Sequence, residues 1–326
     1  MAIYLGNTLL TGAGGSGGSG GGAAAGYVPG LIGFEYLALS GGGAGARGAT
    51  YGGGGGGGGT LINSFAYTYL DKTTAIVVGA GGAQNVYTQS DGGFSTIGDG
   101  LLITKVLGGG GGTYNGAAAD TFGTCCGGQG DVGSSSHATR YGNGFDNKGR
   151  VIGRLETDAV SASLKNINDT TTPFLVSRNA GFSGPGGAGL GGAGPTCSYN
   201  AGSVGGFGLD PTTITDRFLT QAEYIAASIG EATSSVPYIG GGGSGHRASG
   251  RANPPGGCGA VNVAGLANTG GGGGSGTTAG AGGSGFVMLR LPTSQSVTTT
   301  GSPSTYVKGN DTVYVWKSTG SITLNS

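Results

Sequence analysis

Gly270-Gly271-Gly272-Gly273-Gly274-Ser275-Gly276 is followed by Gly280-Ala281-Gly282-Gly283-Ser284-Gly285, which runs into Phe286-Val287-Met288-Leu289-Arg290-Leu291-Pro292. The glycines have no side chain to bury. Yet they lead directly into an apolar segment of strand character that a proline closes. Variants of this unit recur at Gly41-Gly42-Gly43, Gly52 to Gly59, Gly79-Ala80-Gly81-Gly82, Gly108 to Gly112, Gly186 to Gly194 and Gly240 to Gly243. The chain therefore reads as glycine rods pinned by short strands, with the segments between rods free to carry function.

Of 326 residues, 83 are glycine, about three to four times ordinary usage. Glycine loses more backbone entropy on folding than any other residue, so an ordered glycine run needs compensation. Polyproline-II geometry supplies a means. It has three residues per turn, rises ~3.1 Å per residue and makes no internal hydrogen bonds. Its N–H and C=O groups point sideways, and only glycine lets neighbouring backbones come close enough to pair them. The run from Gly52 to Gly59 would form a rod of roughly 25 Å at that rise. Collagen is the rival, but its Gly-X-Y period must be continuous, and here the register breaks repeatedly.

Fifteen basic and fifteen acidic side chains cancel. No Lys/Arg cluster marks a nucleic-acid face or an anionic-membrane anchor. No apolar run reaches the ~18 residues of a membrane span. The opening Met1-Ala2-Ile3-Tyr4-Leu5-Gly6 lacks a charged n-region and a long apolar core, so cytoplasmic synthesis without a secretory signal is expected. The four cysteines are Cys125, Cys126, Cys197 and Cys258. Vicinal Cys125-Cys126 cannot easily satisfy disulfide geometry, and buried small apolar side chains are favoured over a disulfide or a metal.

Residues 1–30 read as an attachment strand (Ile3, Leu5, Leu9) and a Gly/Ser linker in which Ser16 and Ser19 share a period of three. Leu31 to Leu39 is a strand whose near-continuous apolarity predicts burial on both faces. Leu61 to Leu70 places Phe65, Tyr67 and Tyr69 at period two on one face. Thr73 to Val78, Phe94 to Ile97 and Leu101 to Leu107 follow, giving a rhythm of strand, turn, strand and glycine rod.

The ordered landmarks Phe34-Glu35-Tyr36-Leu37-Ala38-Leu39-Ser40-Gly41-Gly42-Gly43, Val77-Val78-Gly79-Ala80-Gly81-Gly82, Gly92-Gly93-Phe94-Ser95, Val106-Leu107-Gly108 to Gly112 and Gly282 to Pro292 resemble the glycine-rich domain of bacteriophage tail fibres and related virion proteins. The resemblance spans roughly residues 31–292. More distantly, the chain is similar to phage adhesins whose distal domain stacks polyglycine-II helices beneath receptor-binding loops. It departs from them in a glycine-poorer insertion at about 131–180, a helix-like segment at 212–229 and a C-terminal tail. The resemblance implies a virion protein made in the host cytoplasm. Other virion proteins would be met through the N-terminus, and a host surface glycan or outer-membrane protein through loops. It also implies a homo-oligomer, by analogy with fibres a trimer.

Within the insertion, Val151 to Val176 alternates enough for one or two strands. From Asp210 the period changes. Pro211 suits a helix start, Ile214, Phe218, Ala222, Ile225 and Ile229 form one stripe, Thr220 and Glu223 have capping-box spacing, and Gly230 ends the run. Residues 293–326 form a tail in which Thr312 to Trp316 and Ser321 to Leu324 are expected to pair as a hairpin around Thr319-Gly320.

Enzyme chemistry finds little support. No Walker lysine follows a glycine run, and the many Gly-x-Gly-x-x-Gly matches lack strand–turn–helix context. His137 and His246 are far apart in sequence, and Cys125-Cys126 with His137 lacks an orienting group. No cofactor or metal is expected. Recognition fits better, because aromatic and arginine side chains in loops supply contact energy. The candidate recognition residues are His137, Arg140, Tyr141, Phe145, Tyr199, Tyr238, His246 and Arg247.

The expected fold is mainly β with polyglycine-II helices, short strands pinning stacked rods and one short α-helix near 212–229. The expected function is a tail-fibre or receptor-binding subunit adhering to the host surface. The alternative is a capsid-decorating or appendage-scaffold protein without a receptor. An ice-binding or cell-wall glycine-rich protein fits the aromatic loops and strand rhythm poorly.

Overall fold

The computed structural model describes residues 3–5, 8–10, 31–47, 56, 58–59, 61–84, 90–98, 104–112, 144–145, 151–153, 186–187, 189–191, 204–246 and 254–326. In chain order the first strands are β1 (Ile3–Leu5), β2 (Thr8–Leu10), β3 (Leu31–Leu39), β4 (Leu61–Tyr69), β5 (Thr73–Val77), β6 (Ser95–Gly98) and β7 (Thr104–Val106). Then come β8 (Gly144–Phe145), β9 (Val151–Gly153), a 3-10 turn at Pro211–Thr213, helix α1 (Gln221–Ala226), β10 (Glu231–Thr233) and β11 (Val236–Tyr238). The C-terminal part adds β12 (Phe286–Pro292), β13 (Val297–Thr300), β14 (Ser304–Lys308), β15 (Asp311–Trp316) and β16 (Gly320–Leu324).

Two antiparallel five-stranded sheets stack face to face. The first has the order β14-β15-β12-β3-β4 and the second β13-β16-β5-β6-β7. Alternation decides which residues lie between them. Phe34, Tyr36, Val287, Leu289 and Trp316 of the first sheet meet Ile76, Ile97, Val106 and Ile322 of the second. The first sheet is buried on its other face as well. There Leu37, Leu39, Phe286, Met288 and Val315 pack on Phe218, Leu219, Tyr224, Ile229 and Ile239. The near-continuous apolarity of β3 and β12 therefore marks strands inside a three-layer stack. Strand β5, with its second face open, alternates exposed and buried residues.

The helical segment is shorter than its apolar stripe. Asp210 caps only a 3-10 turn, its carboxylate accepting from Thr212 N at 2.9 Å. The regular helix starts at the capping box, where Thr220 Oγ1 accepts from Glu223 N and the Glu223 carboxylate accepts from Thr220 N. Phe218, inside the expected stripe, and its neighbour Leu219 are fully buried without being helical.

The expected C-terminal hairpin does not form. β15 pairs with β12 and β14 in the first sheet, while β16 pairs with β5 and β13 in the second. Each strand extends a neighbour already in place, and the connection between them turns the corner from one sheet to the other. Trp316 and Ile322 thereby both reach the inter-sheet core, and the Trp316 indole N–H donates to Thr300 O at 2.9 Å.

Candidate functional site

Past the strand ends the side chains stop and the backbones converge. Between stacked sheets, side chains hold the layers about 10 Å apart. Beyond Leu39, Val78 and Leu107 the glycines remove that spacer, and segments from opposite sheets bond directly. Gly41 N donates to Gly93 O at 3.1 Å and Gly82 N donates to Gly42 O at 2.9 Å. Two serines stitch the junction. Ser95 Oγ accepts from Gly79 N at 2.9 Å and donates to Leu39 O at 2.7 Å. Ser40 Oγ donates to Leu107 O at 2.5 Å.

From there outward, the glycine segments bond to one another at intervals of three residues. Gly41 and Ala44 donate to Gly93 and Ser90; Gly42 and Gly45 donate to Gly283 and Gly280. Gly56 and Gly59 donate to Gly273 and Gly270; Gly272 and Ser275 donate to Gly241 and Ser244. These bonds measure 2.7–3.1 Å. Successive residues serve different neighbours, so one segment is held from several sides. Residues 41–46 bond to 79–82, 90–93, 108–112, 270–276 and 280–285, and lie against Gly56.

This packing explains the composition. A Cβ on Gly43 would fall on the Gly110 carbonyl, one on Gly42 on the carbonyls of Gly270 and Gly271, and one on Gly282 on the Gly42 carbonyl, all under 3.0 Å. The obstructing atoms are backbone and cannot rotate away. Carboxylates satisfy remaining donors. Glu231 Oε2 accepts from Gly256 N and Gly257 N at 2.8 Å each, and Asp91 Oδ1 accepts from Gly111 N at 2.7 Å. Cys258 sits in this packing with its thiol donating to Pro254 O at 2.9 Å. Burial, with Glu231 nearby, pushes its pKa up to about 12. A thiol held protonated in this way is a packing group, not a nucleophile.

Each segment runs either away from the sheets or back towards them, so the glycine body has an inner end at the sheets and an outer end. Described residues at the outer end are tied together. Arg47 Nε donates to Thr277 O at 3.1 Å, Gln84 Nε2 to Thr278 O at 3.4 Å, and Thr278 N to Asn262 Oδ1 at 3.0 Å. Asn262 has a positive φ of 65°, a conformation asparagine tolerates better than most residues.

Of the sequence-predicted recognition residues, Tyr238 and His246 are described with their side chains. They lie at opposite ends of the 240–245 segment: Tyr238 on β11 beside the sheets, His246 half-buried at the outer end. The structure does not bring these two together. Phe145 lies on β8, paired with Val151 of β9. His137, Arg140, Tyr141, Tyr199 and Arg247 fall outside the described residues. Arg47, Gln84, Asn262, Thr277 and Thr278 were missed. Arg47, Gln84 and Thr277 carried a readable signal, since each is the first long or branched polar side chain after an outward glycine run.

A β-sandwich whose strands continue into hydrogen-bonded glycine segments is the class defined here. Residues 27–292 match the family described as glycine-rich domain, and the chain belongs to that family. No curated protein and no solved structure matches it.

Proposed function

We propose that this chain is a bacteriophage virion protein, a tail-fibre or receptor-binding subunit that adheres non-covalently to the host cell surface. In this reading the glycine segments are polyglycine-II helices. The interval of three between bonds to one neighbour supports that assignment, because three residues complete one turn of such a helix.

The observation that carries the adhesion reading is where the chain leaves the glycine body. Gly112 ends a segment running away from the sheets and Gly186 begins one running back, so the chain leaves the glycine body before residues 113–185 and rejoins it after them at the outer end. They include His137, Arg140, Tyr141 and Phe145. The stretches beginning after Arg47 and Gln84 leave from that end too. A rigid frame lowers the ordering cost of segments anchored on it. The N-terminal residues would join other virion proteins, the receptor would be a surface glycan or outer-membrane protein, and display in a homotrimer would raise weak contacts to useful avidity. The role is binding, not catalysis.

The test is binding of labelled full-length protein to a panel of bacterial strains, beside a variant with residues 131–150 replaced by a short Gly/Ser loop. Strain-selective binding that the variant loses supports an adhesin with its surface in the insertion. Binding that persists moves recognition elsewhere on the molecule. Absence of binding to every strain, a known host included, favours a decorating or scaffold role.

A further inference from the structure

Phe65, Tyr67 and Tyr69 occupy alternate positions on β4, the edge strand of the first sheet. Register places them opposite Glu35, Gly33 and Leu31 of β3, on the face that the helical layer covers at Leu37, Leu39 and Leu61. The aromatic stretch lies beyond that cover, in the half of the sheet away from the glycine body. Phe65 is 59% exposed and Tyr69 39%.

Tyr67 folds over its glycine partner. A Cβ on Gly33 would come within 3.0 Å of Tyr67 Cε1 and 3.3 Å of Cδ1. The ring thus leans across β3 in the space that a side chain would fill. At its rim, half-exposed Arg217 donates to the buried Glu35 carboxylate at 3.2 Å. Arg290 holds the other oxygen of Glu35 at 3.1 Å and also pairs with Asp311.

We propose that this surface is a saccharide platform: the rings of Phe65, Tyr67 and Tyr69 stack on the C–H faces of a pyranose chain lying along β4, and Arg217 bonds its hydroxyls. The chemistry of the patch selects this occupant. Exposed rings rimmed by polar groups mark an interaction surface. Arg217 is half-exposed, and an apolar partner would desolvate its guanidinium without satisfying its donors. A pyranose with equatorial hydroxyls offers an apolar face to the rings and acceptors to the guanidinium. From Phe65 to Tyr69 the strand rises ~14 Å, room for about three sugar rings. Aromatic side chains fixed on a strand lose little entropy on binding. This site stands apart from the outer end and does not depend on the adhesion reading.

Full-length protein titrated with cellohexaose and with chitohexaose, followed by calorimetry and saturation-transfer NMR, tests it. Binding of at least one is expected. Phe65→Ala and Tyr67→Ala should each weaken it about fivefold, Arg217→Ala should weaken it, and Val307→Ala, on the opposite edge strand, should not. In the unmutated protein the ring resonances of Phe65 and Tyr69 should shift on titration, a readout independent of whether a variant folds. The proposal is overturned if neither oligosaccharide binds. It is also overturned if binding survives Phe65→Ala/Tyr67→Ala together, or if those substitutions abolish self-association of a chain that binds no sugar.

Discussion

At the residue scale, glycine is required here because of what stands next to it. Gly43→Ala would drive a methyl group into the Gly110 carbonyl and lower stability by about 3 kcal/mol or more, as read from urea unfolding. Gly309 makes the contrast. Nothing lies within 4 Å of a Cβ there, and only its φ of +64° resists a side chain, so Gly309→Ala should cost about 1 kcal/mol. Ser95→Ala would strip both Gly79 N and Leu39 O of their partner. A loss of about 2 kcal/mol is expected in the same assay. Cys258 should resist thiol reagents at mildly alkaline pH in the native protein and react on unfolding; reaction at the rate of a free thiol would contradict its burial.

At the scale of elements, α1 is fastened to the first sheet by two lysines. Lys308 Nζ pairs with Glu223, and Lys317 Nζ donates to Ala227 O at 2.9 Å. Burial by itself would raise the Glu223 carboxyl, but its bonds to Lys308 and Thr220 outweigh that and hold it below the ordinary glutamate value. A carboxylate lowered in the folded state adds stability that is fully present above its unfolded pKa and is lost as pH falls through its folded pKa. Glu223→Gln should therefore cost about 1 kcal/mol near pH 7 and less as pH falls below the ordinary glutamate range. A cost that does not change with pH would show that the charge contributes nothing. The capping box was legible in sequence because its spacing is local. The partner strands of the tail were not, because alternation in β15 and β16 suits several neighbours, and topology decides among them.

At the scale of the whole molecule, the sequence announces glycine runs and strands but hides their arrangement. Both-face burial of β3 could be read from its apolar run. The neighbours of each glycine segment could not, since glycine runs are interchangeable and carry no register signal of their own. Register comes from the strands that feed each segment and from Ser40 and Ser95 at the junction. The candidate recognition set was chosen by residue type in sequence, which cannot tell the inner end from the outer, and so Tyr238 and His246 were grouped although a whole glycine segment separates them. The central claim is that the glycine segments are a hydrogen-bonded body that folds with the sandwich. Native-state hydrogen exchange resolved to single glycine amides measures this directly. Amides of Gly42, Gly45, Gly243, Gly272 and Gly273 should open only with the global free energy that protects β3 and β12. Exchange of these amides at unfolded-chain rates, while the sheets stay protected, would reduce the glycine segments to flexible linkers and contradict the account.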